Sequence, residues 1–151
     1  EPLLEATQIL LKEIQEEDAL CVHVRRSDIA SKSFHGACDR AYYMRGIEYI
    51  VKKDRIGKIY VFSDDIKWCE ENLRFDFPTM YVSMEHSGKH GEGHLALMSA
   101  CKHFIIPNST FSWWAAWLGN HSNKIVIAPK KWFGNNAFNT KDLIPETWVQ
   151  L

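Results

Sequence analysis

Apolar positions recur along this chain with two different periods, and the switching between them lays out the elements. Leu3, Leu4, Thr7, Leu10, Leu11 and Ile14 follow i, i+3/i+4, i+7 spacing, the stripe of an amphipathic helix over residues 3–16. Residues 19–24 (Ala-Leu-Cys-Val-His-Val) are a short continuous apolar run with β-branched members, the mark of a buried strand. A polar stretch with Ser27, Ser31, Ser33 and Gly36 then reads as a loop. Beyond it the pattern predicts a helix over 42–51 closed at Gly57-Lys58, a strand over 58–63, a short helix over 66–73 and a strand over 79–82. Gly88, Gly91 and Gly93 make 83–93 a loop. A helix over 94–101, a strand over 103–106, a Trp-rich helix over 111–118 and a last strand over 124–128 complete the reading.

Strands thus alternate with helices, and the strands are unbroken apolar runs rather than alternating ones. That combination predicts an α/β fold, a Rossmann-like three-layer sandwich whose mainly parallel sheet is covered on both faces. In such sheets ligands bind beyond the carboxyl ends of the strands, so the residues just after Val24, Phe62 and Ile106 carry the chemistry.

Composition narrows the classes. A chain of 151 residues, 46% hydrophobic, fits one domain. A net charge of −1 gives no whole-protein field for nucleic acid or anionic lipid. The apolar run at 104–107 is far short of the roughly 20 residues of a membrane span. The opening Glu1-Pro2-Leu3-Leu4 lacks Met, a basic stretch and a signal-like run, so the chain reads as a domain cut from something longer. Cys21, Cys38, Cys69 and Cys101 include no CxxC pair and are expected to be buried free thiols, as in a reducing compartment.

Three strand ends stand out. After the first strand, His23 and Arg25 fall on one face and Arg26 on the other. Adjacent arginines leaving a buried strand need anionic partners. Either Arg25 forks onto a phosphate while Asp28 holds a guanidinium in place, or the group is a structural Arg–Asp pair. After the second strand, Ser63-Asp64-Asp65 could hold Mg²⁺ or cap the helix at 66, and capping is expected of at least one carboxylate. After the fourth, Ser109, Thr110, Phe111 and Ser112 open a helix, as an anion site or as an ordinary cap. Trp113, Trp114 and Trp117 on that helix are expected in the core. His86, His90 and His94 are spaced for a metal on a helix, but the intervening glycines argue against one. GxGxxG, GxxxxGK[ST] and GxSxG motifs are absent, which removes the main support for dinucleotide, P-loop and hydrolase readings.

Taken in order, five segments resemble the α-1,2-fucosyltransferases of glycosyltransferase family 11: residues 22–28 (VHVRRSD), 61–65 (VFSDD) with 68–72, 97–106, 108–118 (NSTFSWWAAWL) and 126–133. The resemblance implies one half of a GT-B-like transferase, the donor-binding half over 1–151, with an N-terminal acceptor-side domain lying outside this chain. It implies metal-free, inverting transfer of L-fucose from GDP-β-L-fucose to the 2-hydroxyl of a terminal galactose, with no cofactor besides that donor. By the same resemblance Arg25 neutralises the departing diphosphate, His23 meets the nucleotide, Arg26 and Asp28 orient or face the acceptor, and Thr110, Phe111 and Ser112 clasp diphosphate and ribose. Ser63, Asp64 and Ser109 border that donor site.

Two positions depart from the family pattern. Ser27 stands where the motif has Gly, and His94 stands where a guanine-binding Asp is usual, leaving Glu92 as the nearby carboxylate. Asp28 is the better candidate for a catalytic base and His35 the poorer. The resemblance further implies either a cytoplasmic enzyme, peripheral at a bacterial inner membrane, or one in the Golgi lumen. The compact ending at 142–151 favours the bacterial setting.

Overall fold

A computed structural model describes residues 2–26, 38–132 and 142–151. Its elements follow the apolar runs: α1 (Glu5–Gln15), β1 (Ala19–Val24), α2 (Arg40–Val51), β2 (Lys58–Ser63), α3 (Ile66–Asn72), β3 (Thr79–Tyr81), a 3₁₀ turn (Met84–His86), α4 (Glu92–Ser99), β4 (His103–Ile105), α5 (Thr110–Leu118), β5 (Val126–Ala128) and β6 (Val149–Gln150). The strands form one six-stranded sheet in the order β3-β2-β1-β4-β5-β6, every pairing parallel. This is the doubly wound order, and its direction reverses between β1 and β4.

Alternate residues of each strand serve opposite faces. Leu20, Val22, Ile59, Val61 and Ile105 pack under α2 and α3 with Tyr43, Ile47, Ile50 and Leu73. Cys21, Tyr60, Phe62, Phe104 and Ile106 pack under α1, α4 and α5 with Leu10, Ile14, Leu97, Met98, Ala115 and Ala116. The sheet is therefore the middle of three layers, as the sequence predicts. Cys21, Cys69 and Cys101 are buried free thiols, and Cys38 is half-buried. Among the described residues no helix is long and apolar enough to cross a membrane.

Three expectations needed correction. The Trp-rich helix is not wholly core: α5 turns Ser112, Ala115 and Ala116 inward, while Trp114 and Trp117 remain 49% and 51% exposed. The small inner residues let α5 sit close to the sheet, and a helix apolar on all sides gives no periodicity from which to read this. Strand β6 went unforeseen, because two residues carry no pattern; it pairs Val149 with Ile127 at the sheet edge. Within 83–93, the 3₁₀ turn and an earlier start of α4 replace an uninterrupted loop.

Gly93 explains that earlier start. Its N–H donates to the Ser87 carbonyl at 2.8 Å, and a Cβ built on it would stand 1.9 Å from the His86 carbonyl oxygen. Only a residue without a side chain lets α4 begin against the 3₁₀ turn. Gly93→Ala is expected to cost about 3 kcal/mol, read as a lower urea midpoint with unchanged slope.

The amino-terminal rim is tied by charge. Asp54 accepts from Lys102 Nζ and from His103 Nε2, each at 2.9 Å. His103 Nδ1 accepts the Ile125 N–H at 2.9 Å, so the neutral ring is fully used. Burial lowers its pKa below the ordinary 6.5, against the pull of Asp54. The folded form therefore binds this proton less readily than the unfolded chain, and the associated stability is complete above pH 6.5 and lost as pH falls below it. Urea unfolding followed from pH 7.5 to pH 5 should show falling stability. His103→Gln should flatten that slope by up to about 1.4 kcal/mol per pH unit.

Candidate functional site

The carboxyl ends of β1 and β4 part company. Their pairing stops at Val22–Ile105, while β1 stays paired with β2 through Val24–Ser63. The strand-end carbonyls are satisfied from α2: Tyr43 Oη donates to the His23 carbonyl at 2.9 Å, and Tyr42 Oη to the Ile106 carbonyl at 2.6 Å. Above the gap lies a cavity of about 470 Å³, lined by His23, Arg25, Ser63, Asp64, Met84, Ser87, His94, Ser109, Thr110 and Phe111. Its place at the reversal of strand order is where open α/β sheets bind ligands.

The first strand end contributes three side chains in two directions. His23 and Arg25 face the cavity, and the His23 ring lies 6.1 Å from that of Phe111. His23 Nδ1 is buried with no hydrogen-bond partner among the described residues, and burial lowers the imidazole pKa to about 4 despite Asp64 nearby. The ring is thus uncharged at neutral pH, with an unused polar atom at the cavity. Arg26 turns away, its guanidinium 3.7 Å from the centre of the Trp68 ring and its Nε 3.8 Å from Asp65. Strand alternation separates the two arginines as the sequence requires.

At the second strand end the two carboxylates divide their work. Asp65 caps α3, accepting the Trp68 N–H at 3.3 Å. Asp64 lines the cavity and accepts the Arg26 N–H at 2.8 Å, fixing the backbone just beyond β1. Among the described residues no group of three or more His, Cys, Asp or Glu side chains is arranged for a metal ion.

The third strand end turns into α5 at the cavity floor. Ser109 occupies the cap position, yet its side chain accepts no N–H of the first turn. Ser112 is buried and donates to the Ser109 carbonyl at 3.2 Å, so it shapes the turn without lining the cavity. Ser109, Thr110 and Phe111 therefore present the start of a nine-residue helix to the cavity. First-turn N–H groups and the helix dipole favour an anion there.

The base-binding candidates fall on opposite sides of a wall. His94 lines the cavity, edge-on to Phe62 at 5.4 Å, with Nε2 donating to the Ser83 carbonyl at 3.1 Å. Burial keeps it neutral, leaving Nδ1 as an acceptor. Glu92 instead accepts from the His90 N–H at 2.7 Å and the Lys89 N–H at 3.3 Å, and faces a separate cavity beside α1. Those backbone N–H groups, with its own, hold its carboxyl below the usual range. Ser27, Asp28 and His35 lie outside the described residues. Sequence reasoning passed over Met84 and Ser87 in the cavity wall and gave no role to Asn108, whose buried amide has no hydrogen-bond partner among the described residues. Asn108 opens the 108–118 segment that carries the family resemblance; nothing marked the other two.

Comparison with known proteins fits this arrangement. The profile of Glycosyl transferase family 11 matches residues 4–151. The chain is 42% identical over 135 residues to the O-antigen biosynthesis glycosyltransferase WbnK of Escherichia coli, covering 86% of this chain and 43% of that protein. It is 38% identical over 138 residues to an alpha-1,2-colitosyltransferase of Escherichia coli, covering 89% and 48%. To a galactoside 2-alpha-L-fucosyltransferase of Caenorhabditis elegans it is 27% identical over 162 residues, covering 99% and 45%. The chain therefore spans less than half the length of these relatives. The profile runs through every element from α1 to β6, and the chain belongs to glycosyl transferase family 11.

Proposed function

We propose that this chain is the donor-binding half of a GT-B-like transferase that moves L-fucose from GDP-β-L-fucose to the 2-hydroxyl of a terminal galactose, with inversion and without a metal. The observation that carries the reading is the convergence of Arg25 and the start of α5 on one cavity at the reversal of strand order. The greater length of the relatives leaves room for an acceptor-side half beyond this chain.

In this reading the diphosphate lies between the Arg25 guanidinium and the first turn of α5, with the Ser109 and Thr110 hydroxyls beside it. Among the described residues lining the cavity Arg25 is the one Lys or Arg, and burial lowers the His23 pKa to about 4. Asp64 repels phosphate but accepts from hydroxyls, so it suits the ribose. The His23 and Phe111 rings flank the nucleotide, and His94 Nδ1 accepts one guanine N–H where a carboxylate would accept two. The galactose O2 attacks the fucosyl C1 from the face opposite the diphosphate. The C1–O bond breaks with its electron pair leaving on GDP, and the proton from O2 passes to a base, for which Asp28 is the candidate. Arg25 and the helix start stabilise the charge that builds on the leaving oxygen, where such donors count most.

A colitosyl donor is the second reading, favoured by 38% identity to the alpha-1,2-colitosyltransferase. It uses the same diphosphate contacts and changes only the sugar.

Calorimetric titration with GDP and GDP-fucose in EDTA tests the donor site. GDP should bind, and Arg25→Ala should weaken it about tenfold or more, roughly 1.4 kcal/mol. A folded chain that ignores GDP, or that prefers UDP, overturns the reading. Binding that disappears in EDTA overturns its metal-free part.

A further inference from the structure

Once Arg25 and the start of α5 take the diphosphate and Asp64 the ribose, Met84, Ser87 and His94 remain among the lining residues for the base. Of these, His94 has a fixed direction of hydrogen bonding. Its Nε2 lies 3.1 Å from the Ser83 carbonyl, which can only accept, so Nε2 carries the hydrogen. Burial lowers its pKa below 6.5, so at neutral pH the ring is uncharged and Nδ1 holds a bare lone pair. Among the described residues nothing donates to that nitrogen. The ring is also held in place. It meets Phe62 edge-on at 5.4 Å, and the turn that supplies the Ser83 carbonyl is tied to α1 through His86 Nδ1 and Thr7 Oγ1 at 3.0 Å. Among the described residues lining the cavity Asp64 is the one carboxylate, and its Oδ1 accepts the Arg26 N–H. Glu92 is taken up by the His90 and Lys89 N–H groups and faces the cavity beside α1.

We propose that His94 reads a 6-oxopurine by its N1–H alone, so that hypoxanthine nucleotides fit this site as well as guanine nucleotides do. The inference rests on the donor reading above and names the class of bases that reading admits. Guanine and hypoxanthine share O6 and N1–H and differ only in the 2-amino group. A carboxylate would accept from N1–H and from that amine together, and the hypoxanthine analogue would leave one of its oxygens unpaired. A single imidazole lone pair accepts N1–H and has nothing left for the amine, so loss of the amine costs little. Adenine is refused, because its N1 turns a second lone pair toward Nδ1 where a hydrogen is needed.

Calorimetric titration of this chain with GDP, IDP, ADP and 1-methyl-GDP tests the inference. GDP and IDP should bind within about threefold of each other. ADP, and 1-methyl-GDP with no hydrogen on N1, should bind about tenfold or more weakly than either. In His94→Leu, with its fold checked by melting, the gap between GDP and 1-methyl-GDP should vanish. His94→Gln, whose amide can donate to the Ser83 carbonyl and accept with its oxygen, should bring the gap back. IDP bound tenfold more weakly than GDP overturns the inference, since another group such as Ser87 Oγ then reads the amine. So does 1-methyl-GDP or ADP bound as well as GDP, or a gap that survives His94→Leu. In each of those outcomes GDP binding that Arg25→Ala weakens still upholds the donor reading, whereas a folded chain that binds none of the four overturns both.

Discussion

The site depends on how two strand-end carbonyls find partners. Once β1 and β4 stop pairing, the His23 and Ile106 carbonyls sit in a dry interior where an unpaired acceptor is costly. The Tyr43 and Tyr42 hydroxyls, side by side on α2, reach up from beneath the sheet and take them. The strands can therefore separate, and the residues that follow are released in different directions. Arg25 rises toward the cavity, Arg26 crosses to Trp68, and the turn after β4 swings round to start α5. Without this tie from below, two buried carbonyls would lack these partners.

Charge in the cavity is arranged by subtraction. Two arginines in succession would repel if they shared a pocket; alternation and the face of Trp68 take one of them away. Burial denies His23 its proton, so among the described residues lining the cavity Arg25 carries the positive charge. Asp64 would oppose a phosphate, but its Oδ1 accepts the Arg26 N–H at the ends of β1 and β2. The result is a polarity within one cavity, acceptor chemistry at β2 and donor chemistry at β1 and α5.

Much of this was legible in the sequence because parallel strands buried on both faces have to be unbroken apolar runs, and those runs placed β1, β2 and β4 nearly to the residue. Strand alternation alone also separates His23 and Arg25 from Arg26. What stayed hidden depended on the direction of a side chain within an irregular segment. Glu92 and His94 are two residues apart, yet the positive-φ turn at Gly91 and the close approach at Gly93 accompany their division, one to a cavity beside α1 and the other to the cavity at the β1–β4 gap. The role of the α2 tyrosines could not be read, since a hydroxyl at the end of a buried ring leaves no trace in a hydrophobic pattern. The orientation of α5 was ambiguous for the opposite reason, since apolar residues surround it on every side.

The order of the sheet also governs how the chain acquires it. β1 is a central strand, but its second neighbour is β4, so Leu20 waits for His103 to be made. During synthesis β1, β2 and β3 can assemble with α2 and α3 as a half-sheet, leaving the far edge of β1 bare: a row of unsatisfied backbone groups on an apolar strand, apt to pair with the wrong chain. Contacts this distant in sequence also slow closure. The crevice that makes the site thus waits for β4, and a ribosome-bound or truncated chain ending before β4 would present, in its place, an adhesive edge.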